Sequence, residues 1–118
     1  MIGVTMGIPK HARRDGNEPE IVNYFRRFGA TVTIKSDKDA PDLEVGYEGI
    51  TVLVEVKTNK GKLRSGQIEW HKNYQGCVFV VRNIQQAQYV LTYCENLASI
   101  GRGVYETAEQ LFYEADKR

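Results

Sequence analysis

Residues 50–56 read Ile-Thr-Val-Leu-Val-Glu-Val, and few segments restrict a chain more than such a β-branched run. Branching at Cβ crowds a helical turn but suits a pleated strand. Side chains alternate faces along a strand. Ile50, Val52, Val54 and Val56 therefore form a wholly apolar face that has to meet a core, and Thr51, Leu53, Glu55 and Lys57 take the other. The run ends with a carboxylate and an ammonium side by side on that second face.

The preceding stretch Leu-Glu-Val-Gly-Tyr, residues 43–47, also reads as a strand and is separated from the first by Glu48-Gly49. Closing the pair with a two-residue turn puts Tyr47 opposite Ile50 and Asp42 opposite Glu55. Opposed residues share a face, with β-carbons about 5 Å apart. Two carboxylates that close repel and raise one pKa unless a cation lies between them. Lys57 supplies one positive charge. A divalent ion that prefers hard oxygen ligands, Mg²⁺ or Mn²⁺, would supply the rest. A slip of one residue would turn Asp42 to the opposite face. Glu55 and Lys57 alone read as a surface ion pair. Pro41-Asp42 at the start of the neighbouring strand turns the balance towards a site.

The other elements follow from periodicity and caps. Residues 17–29 predict a helix with Asn17 as cap, Pro19 in the first turn, Glu20 as capping-box partner, Ile21, Phe25 and Phe28 on one face, and Gly29 as stop. Residues 30–36 predict a strand. Residues 65–76 predict a helix capped by Ser65 and stopped at Gly76, and residues 77–81 a short apolar strand covered on both faces. A capping box of Asn83 and Gln86 opens a helix through Ala98, with Ile84, Ala87, Leu91, Cys94 and Ala98 inward. A last helix is expected over Glu106 to Ala115. The order α-β-β-β-α-β-α implies an antiparallel meander, then a strand parallel to the third after a right-handed crossover. The fold class is α/β, a mixed sheet flanked by helices, with extra C-terminal helices.

A chain of 118 residues that is 42% hydrophobic and 26% charged predicts a single domain over 1–118. It divides into a basic arm at 1–16, a core at 17–98 and a C-terminal tail or helix at 99–118. No apolar run reaches membrane-spanning length and no signal-peptide core opens the chain. A cytoplasmic protein, cellular or virus-encoded, with no membrane partner is expected. Cys77 and Cys94 read as core thiols, not a disulfide or zinc scaffold. The net charge of +1 conceals two basic blocks, Lys10 to Arg14 and Lys57 to Lys72, the second holding five Lys/Arg against Glu69 alone. Phosphate partners respond to such local fields.

Pro41-Asp42 followed by Glu55-Val56-Lys57 resembles the PD-(D/E)xK nuclease superfamily, whose core is αβββαβ with a restriction-endonuclease-like fold. Residues 60–83, Lys-Gly-Lys-Leu-Arg-Ser-Gly-Gln and onward to Val-Val-Arg-Asn, are similar to the VRR-NUC family, with its basic glycine-containing loop, Ser-x-Gln helix start, aromatic-bearing helix and strand ending in Val-Val-Arg. The likeness spans about residues 18–91. Gly66 departs from it, since the family often has proline there.

The resemblance implies hydrolysis of DNA phosphodiesters with Mg²⁺ or Mn²⁺ and no small-molecule cofactor. Asp42, Glu55 and the Val56 carbonyl would be metal ligands. Lys57 would position the attacking water or stabilise transition-state charge, and Gln67 would hold nucleophile or phosphate. Without the resemblance Gln67 reads as a solvated helix residue. Glu20 would be either an acid near the metal or the helix cap. Lys60, Lys62 and Arg64, with Lys10, Arg13 and Arg14 from the arm, would contact the DNA backbone; their alternative role is solubility. Trp70 is expected in the core in preference to stacking on a base, and His71 at the surface or helix end. Stand-alone members of the family resemble homodimers that act on branched DNA such as four-way junctions, and the segment from Glu106 to Ala115 is a candidate interface. The competing functions are a non-catalytic nucleic-acid-binding module that retains the fold, and an interaction protein that uses its acidic C-terminal helices.

Overall fold

The computed structural model describes the backbone of residues 16–116 and the side chains of residues 16–100. Its elements are α1 (Glu18–Arg27), β1 (Thr31–Ile34), β2 (Leu43–Tyr47), β3 (Ile50–Val56), α2 (Ser65–Asn73), β4 (Val78–Val81) and α3 (Ile84–Asp116). The four strands form one mixed sheet in the order β1-β2-β3-β4. β1, β2 and β3 run antiparallel, and β4 returns parallel to β3 after α2.

The β2–β3 hairpin has the register its sequence implies, from Tyr47 opposite Ile50 to Leu43 opposite Val54. Its turn residues Glu48 and Gly49 have φ of 56° and 79°. Two positive φ values make a type I′ turn, whose twist matches that of the strands. Glycine adopts this region freely; a residue with Cβ does so at a cost of about 1 kcal/mol.

One sheet face is the core. Leu43, Val45, Val52, Val54, Val56 and Val81 pack there against Ile21, Val22 and Phe25 of α1 and Ala87, Val90, Leu91 and Cys94 of α3. The other face carries Thr31, Thr33, Glu44, Leu53, Glu55 and Val80, and α2 crosses it. Val78, Phe79 and Val80 are half-buried and Val81 buried, so β4 is covered less completely than its apolar run suggests. Cys94 is buried and Cys77 half-buried, both as free thiols, with Cys77 Sγ 3.1 Å from the Tyr93 hydroxyl. Among the described residues no helix is long and apolar enough to cross a membrane.

Four local expectations are corrected. The Asn17–Glu20 capping box does not form: Asn17 stands at the N-cap position without a side-chain cap bond. Its amide is drawn into the tertiary contacts described below. Phe28 does not face the core. It is the C-cap residue, past the last helical turn, and lies 52% exposed against the Tyr24 ring. Arg64, not Ser65, takes the N-cap position of α2. Finally, α3 is continuous over 33 residues, so the separate helix expected from Glu106 to Ala115 is its C-terminal part. Gly101 and Gly103 cost about 1 kcal/mol each in a helix but, unlike proline, remove no backbone donor. Asn83 does cap α3, accepting from the Gln86 N–H at 2.8 Å, whereas the Gln86 side chain accepts from the Arg82 N–H at 2.7 Å.

Candidate active site

Glu55 is a carboxylate inside the protein. It leaves β3 on the face opposite the core, yet only 2% of it is exposed. Gln67 Nε2 donates to its Oε2 at 2.9 Å, and Lys57 Nζ stands 3.6 Å from the same oxygen. Its Oε1 is buried and accepts no hydrogen bond. Burial pushes its pKa up to about 7, the Asp42 negative charge adds to the rise, and Lys57 opposes it.

Asp42 is held beside it by the hairpin. The Val56 N–H donates to Asp42 Oδ2 at 2.9 Å, and the Lys35 N–H donates to the Asp42 carbonyl at 2.7 Å. Pro41 is buried immediately before it. The first residue of the Pro-Asp pair thus anchors the chain and the second turns its carboxylate across to β3. Lys57 is only 14% exposed in its side chain, so it is largely buried beside Glu55.

Gln67 is not a solvated helix residue. It is buried, and its Oε1 accepts from the Arg64 N–H at 2.9 Å while its Nε2 reaches Glu55. One side chain therefore both satisfies an orphan donor of α2 and props the acid. Asp42, Glu55 and Lys57 are brought together as the hairpin register implies, and Gln67, placed there only by the family resemblance, joins them.

The chain leaving β3 is tied down by residues that sequence reasoning had given other roles or none. Asn17 Nδ2 donates to the carbonyls of Lys57 and Arg82, both at 3.1 Å. Arg82 Nη1 donates to the carbonyls of Thr58 and Gly61, both at 2.6 Å. Arg82→Ala removes a charged donor from two carbonyls and is expected to cost about 1 kcal/mol. It should also speed amide exchange at Gly61, whose N–H closes a turn onto Thr58 O at 3.1 Å. Unchanged exchange at Gly61 would show that the loop holds itself without Arg82.

The acid of α1 that turns inward is Glu18, which is buried, while Glu20 is exposed. Helical spacing contains this signal: Glu18 lies on the stripe of Val22 and Phe25, and Glu20 lies on that of Tyr24 and Arg27. The basic loop also has internal order. Lys60 and Lys62 are exposed, but Arg64 pairs with Asp39 at 3.5 Å. The Asp39 carboxylate lies over Gly66, where an added Cβ would meet Oδ2 at 2.5 Å. Glycine at 66 thus leaves room for Asp39 at the start of α2. Lys10, Arg13 and Arg14 lie outside the described residues.

Of the two α2 residues singled out, Trp70 differs from expectation, while His71 stands in the last helical turn as expected. Trp70 is half-buried and outside the core cluster, because α2 covers the opposite sheet face. His71, one turn after Gln67, has its Nε2 buried without a hydrogen-bond partner. Burial lowers its pKa and the Lys57 charge lowers it further, so it stands as a neutral imidazole beside the site.

Among the described residues no group of three or more His, Cys, Asp and Glu side chains gathers to hold a metal. The inward ligands on offer are two carboxylates with backbone oxygens, a hard-oxygen set suited to Mg²⁺ or Mn²⁺. The buried Oε1 of Glu55, which meets no donor, and the crowding of its carboxyl against that of Asp42 are what a cation would relieve. Comparison with protein-family models and with curated proteins finds no match to this chain.

Proposed function

We propose that the chain is a metal-dependent endonuclease acting on DNA, with a restriction-endonuclease-like core, and that its resemblance to the VRR-NUC family reflects its chemistry. One observation carries the reading. Glu55 is an almost fully buried acid with a pKa near 7, set among Asp42, Lys57 and Gln67 at the end of a central strand. A merely structural ion pair does not require two carboxylates side by side with a buried oxygen that meets no donor, whereas perturbed acids cluster where chemistry is done.

Asp42 and Glu55, with the Val56 carbonyl, would hold Mg²⁺ or Mn²⁺. Such an ion, when bound, lowers the pKa of its water and neutralises charge on the phosphate. The chain's own groups do the rest. Lys57, whose side chain is largely buried, would place an ammonium beside the reacting phosphate where water screens it little. Gln67 fixes the Glu55 carboxylate through Oε2 and leaves Oε1 for the ligand. Lys60 and Lys62 are exposed for backbone phosphates and carry no sequence readout, which suits an enzyme selective for DNA shape. Branched DNA such as a four-way junction is the substrate class we favour, with a homodimer supplying paired cuts.

The test is a cleavage assay on single-stranded, duplex and four-way DNA of matched sequence, with Mg²⁺, Mn²⁺ or EDTA. Metal-dependent nicking, strongest on the junction, is expected. Salt-sensitive binding without cleavage under any metal would replace the enzyme with a binding module. Ion affinity should also depend on pH. Because Glu55 binds an ion only when ionised, Mn²⁺ affinity measured by calorimetry should rise up to about pH 7 and level off above it. Asp42→Asn should remove the heat of binding. An affinity independent of pH from 5 to 8 would exclude Glu55 as a ligand.

A further inference from the structure

We infer that Trp70 and Tyr74 form a stacking platform for an unpaired nucleobase of the DNA strand bound beside the site. The inference rests on the nuclease reading for its ligand, DNA, but not on catalysis. The rings lie 4.9 Å apart at 21°, the nearly parallel pair among the described residues. Phe79 and Tyr93, which pack against the core, meet instead edge-on at 69°. Neither Trp70 nor Tyr74 belongs to the core cluster. Tyr74 keeps 41% of its surface in solvent, and Ile68 on the same helix keeps 46%. A Tyr74 ring that served only to cover the sheet would not remain so open.

The backbone is shaped around this pair. A Cβ at Gly76 would lie 2.6 Å from Tyr74 Cε2, so glycine lets the chain turn close under the ring. Position along α2 links the platform to the site. Gln67, which holds Glu55, precedes Trp70 by three residues, about 4.5 Å along the helix axis. Tyr74 follows at the helix end. Trp70 and Tyr74, about 4.5 and 10.5 Å from Gln67 along the axis, are thus on the order of one and three nucleotide spacings away.

Charge selects the occupant. Lys60 and Lys62 of the loop entering α2 and Lys72 on the helix are exposed. Cationic groups that track a backbone, joined to aromatic faces that accept any base, make the usual arrangement for single-stranded nucleic acid. A paired, stacked duplex offers no free base face there. Unpaired nucleotides at a branch or end do, so the platform would give the protein its preference for DNA that is not continuous duplex.

Trp70 is the single tryptophan of the chain, so its fluorescence reports on this one position. The experiment uses the full-length protein in EDTA, where no strand is cut. The probes are a ten-nucleotide oligothymidylate, an abasic oligomer of equal length and charge, and a blunt-ended duplex of two separate strands. The thymidylate should quench Trp70 and bind at least about tenfold more tightly than the abasic strand. Trp70→Ala and Tyr74→Ala should each erase most of that difference and leave affinity for the abasic strand unchanged, while Trp70→Phe should keep it. Equal wild-type affinity for the thymidylate and abasic strands, with no quench, overturns the inference whether or not the variants fold. A base-dependent quench in a protein that cleaves nothing upholds this site while removing the enzyme. Cleavage without base preference removes this site and leaves the enzyme.

Discussion

Glu55→Gln is expected to abolish Mg²⁺-dependent DNA cleavage, by about a thousandfold or more, with DNA affinity changed by no more than about twofold. The substitution preserves size, and its amide oxygen can still accept from Gln67 Nε2, which donates to Glu55 Oε2 at 2.9 Å. What it removes is negative charge at the buried position facing Asp42. Groups that act as a unit at a reaction centre lose most of the rate when any one is removed. Lys57→Ala should lose on the order of a hundred- to a thousandfold, because its ammonium lies 3.6 Å from Glu55 and its side chain is largely buried, where a charge is worth more than in water. DNA binding should persist in both variants, since the exposed Lys60 and Lys62 are untouched. Filter binding alongside single-turnover cleavage separates the two readouts. If both variants cut within about tenfold of wild type, the acid–lysine pair is structural and the proposed function fails.

The same Glu55→Gln change is expected to stabilise the metal-free protein at pH 8 while it destroys activity. The folded-state pKa of Glu55 is raised from 4.5 to about 7. Below pH 4.5 the acid is protonated in both folded and unfolded chains and costs nothing extra. Between 4.5 and 7 the folded chain binds more protons than the unfolded one, so stability falls as pH rises. Above about 7 the loss is complete, on the order of 3 kcal/mol. Glutamine cannot ionise and does not follow this fall. Urea denaturation in EDTA at pH 4.5, 6 and 8 should therefore show the variant gaining on wild type with each step. A constant difference between the two proteins would mean that the buried charge costs nothing, contrary to its surroundings. Saturating Mg²⁺ should favour wild type again, because an ion that binds only the folded state stabilises it by mass action.

A buried carboxylate that costs stability when charged explains why its supports are so numerous. Asn17, Gln67 and Arg82 each spend polar groups on the backbone or on Glu55 around the end of β3. These contacts hold the acid in place against the tendency of like charges to separate.

The central hairpin was legible in the sequence for a plain reason. Alternation has a period of two, so Ile50, Val52, Val54 and Val56 had to share a face, and the two-residue Glu48-Gly49 turn then determined that Asp42 meets Glu55. Strand order and the parallel return of β4 followed from the intervening helix. Ile21 and Phe25 were likewise readable, because a 3.6-residue repeat makes them one stripe. These are local properties that any amphipathic element shows.

The tertiary structure alone decided which partners polar side chains chose. Asn17 looked like a helix cap, and a cap is the best local use of its amide. The carbonyls of Lys57 and Arg82, 40 and 65 residues away, took it instead. Gln67 looked solvated until α2 was laid over the Glu55 face. Trp70 looked like core because tryptophan is usually buried, yet the crossover placed α2 on the sheet face opposite α1 and α3. Apolar periodicity is written along the chain since each residue needs only to be inside. A hydrogen bond or an ion pair needs a particular atom at a particular distance, and in this protein that atom comes from a segment far away in sequence, brought near only when the sheet and its helices have closed.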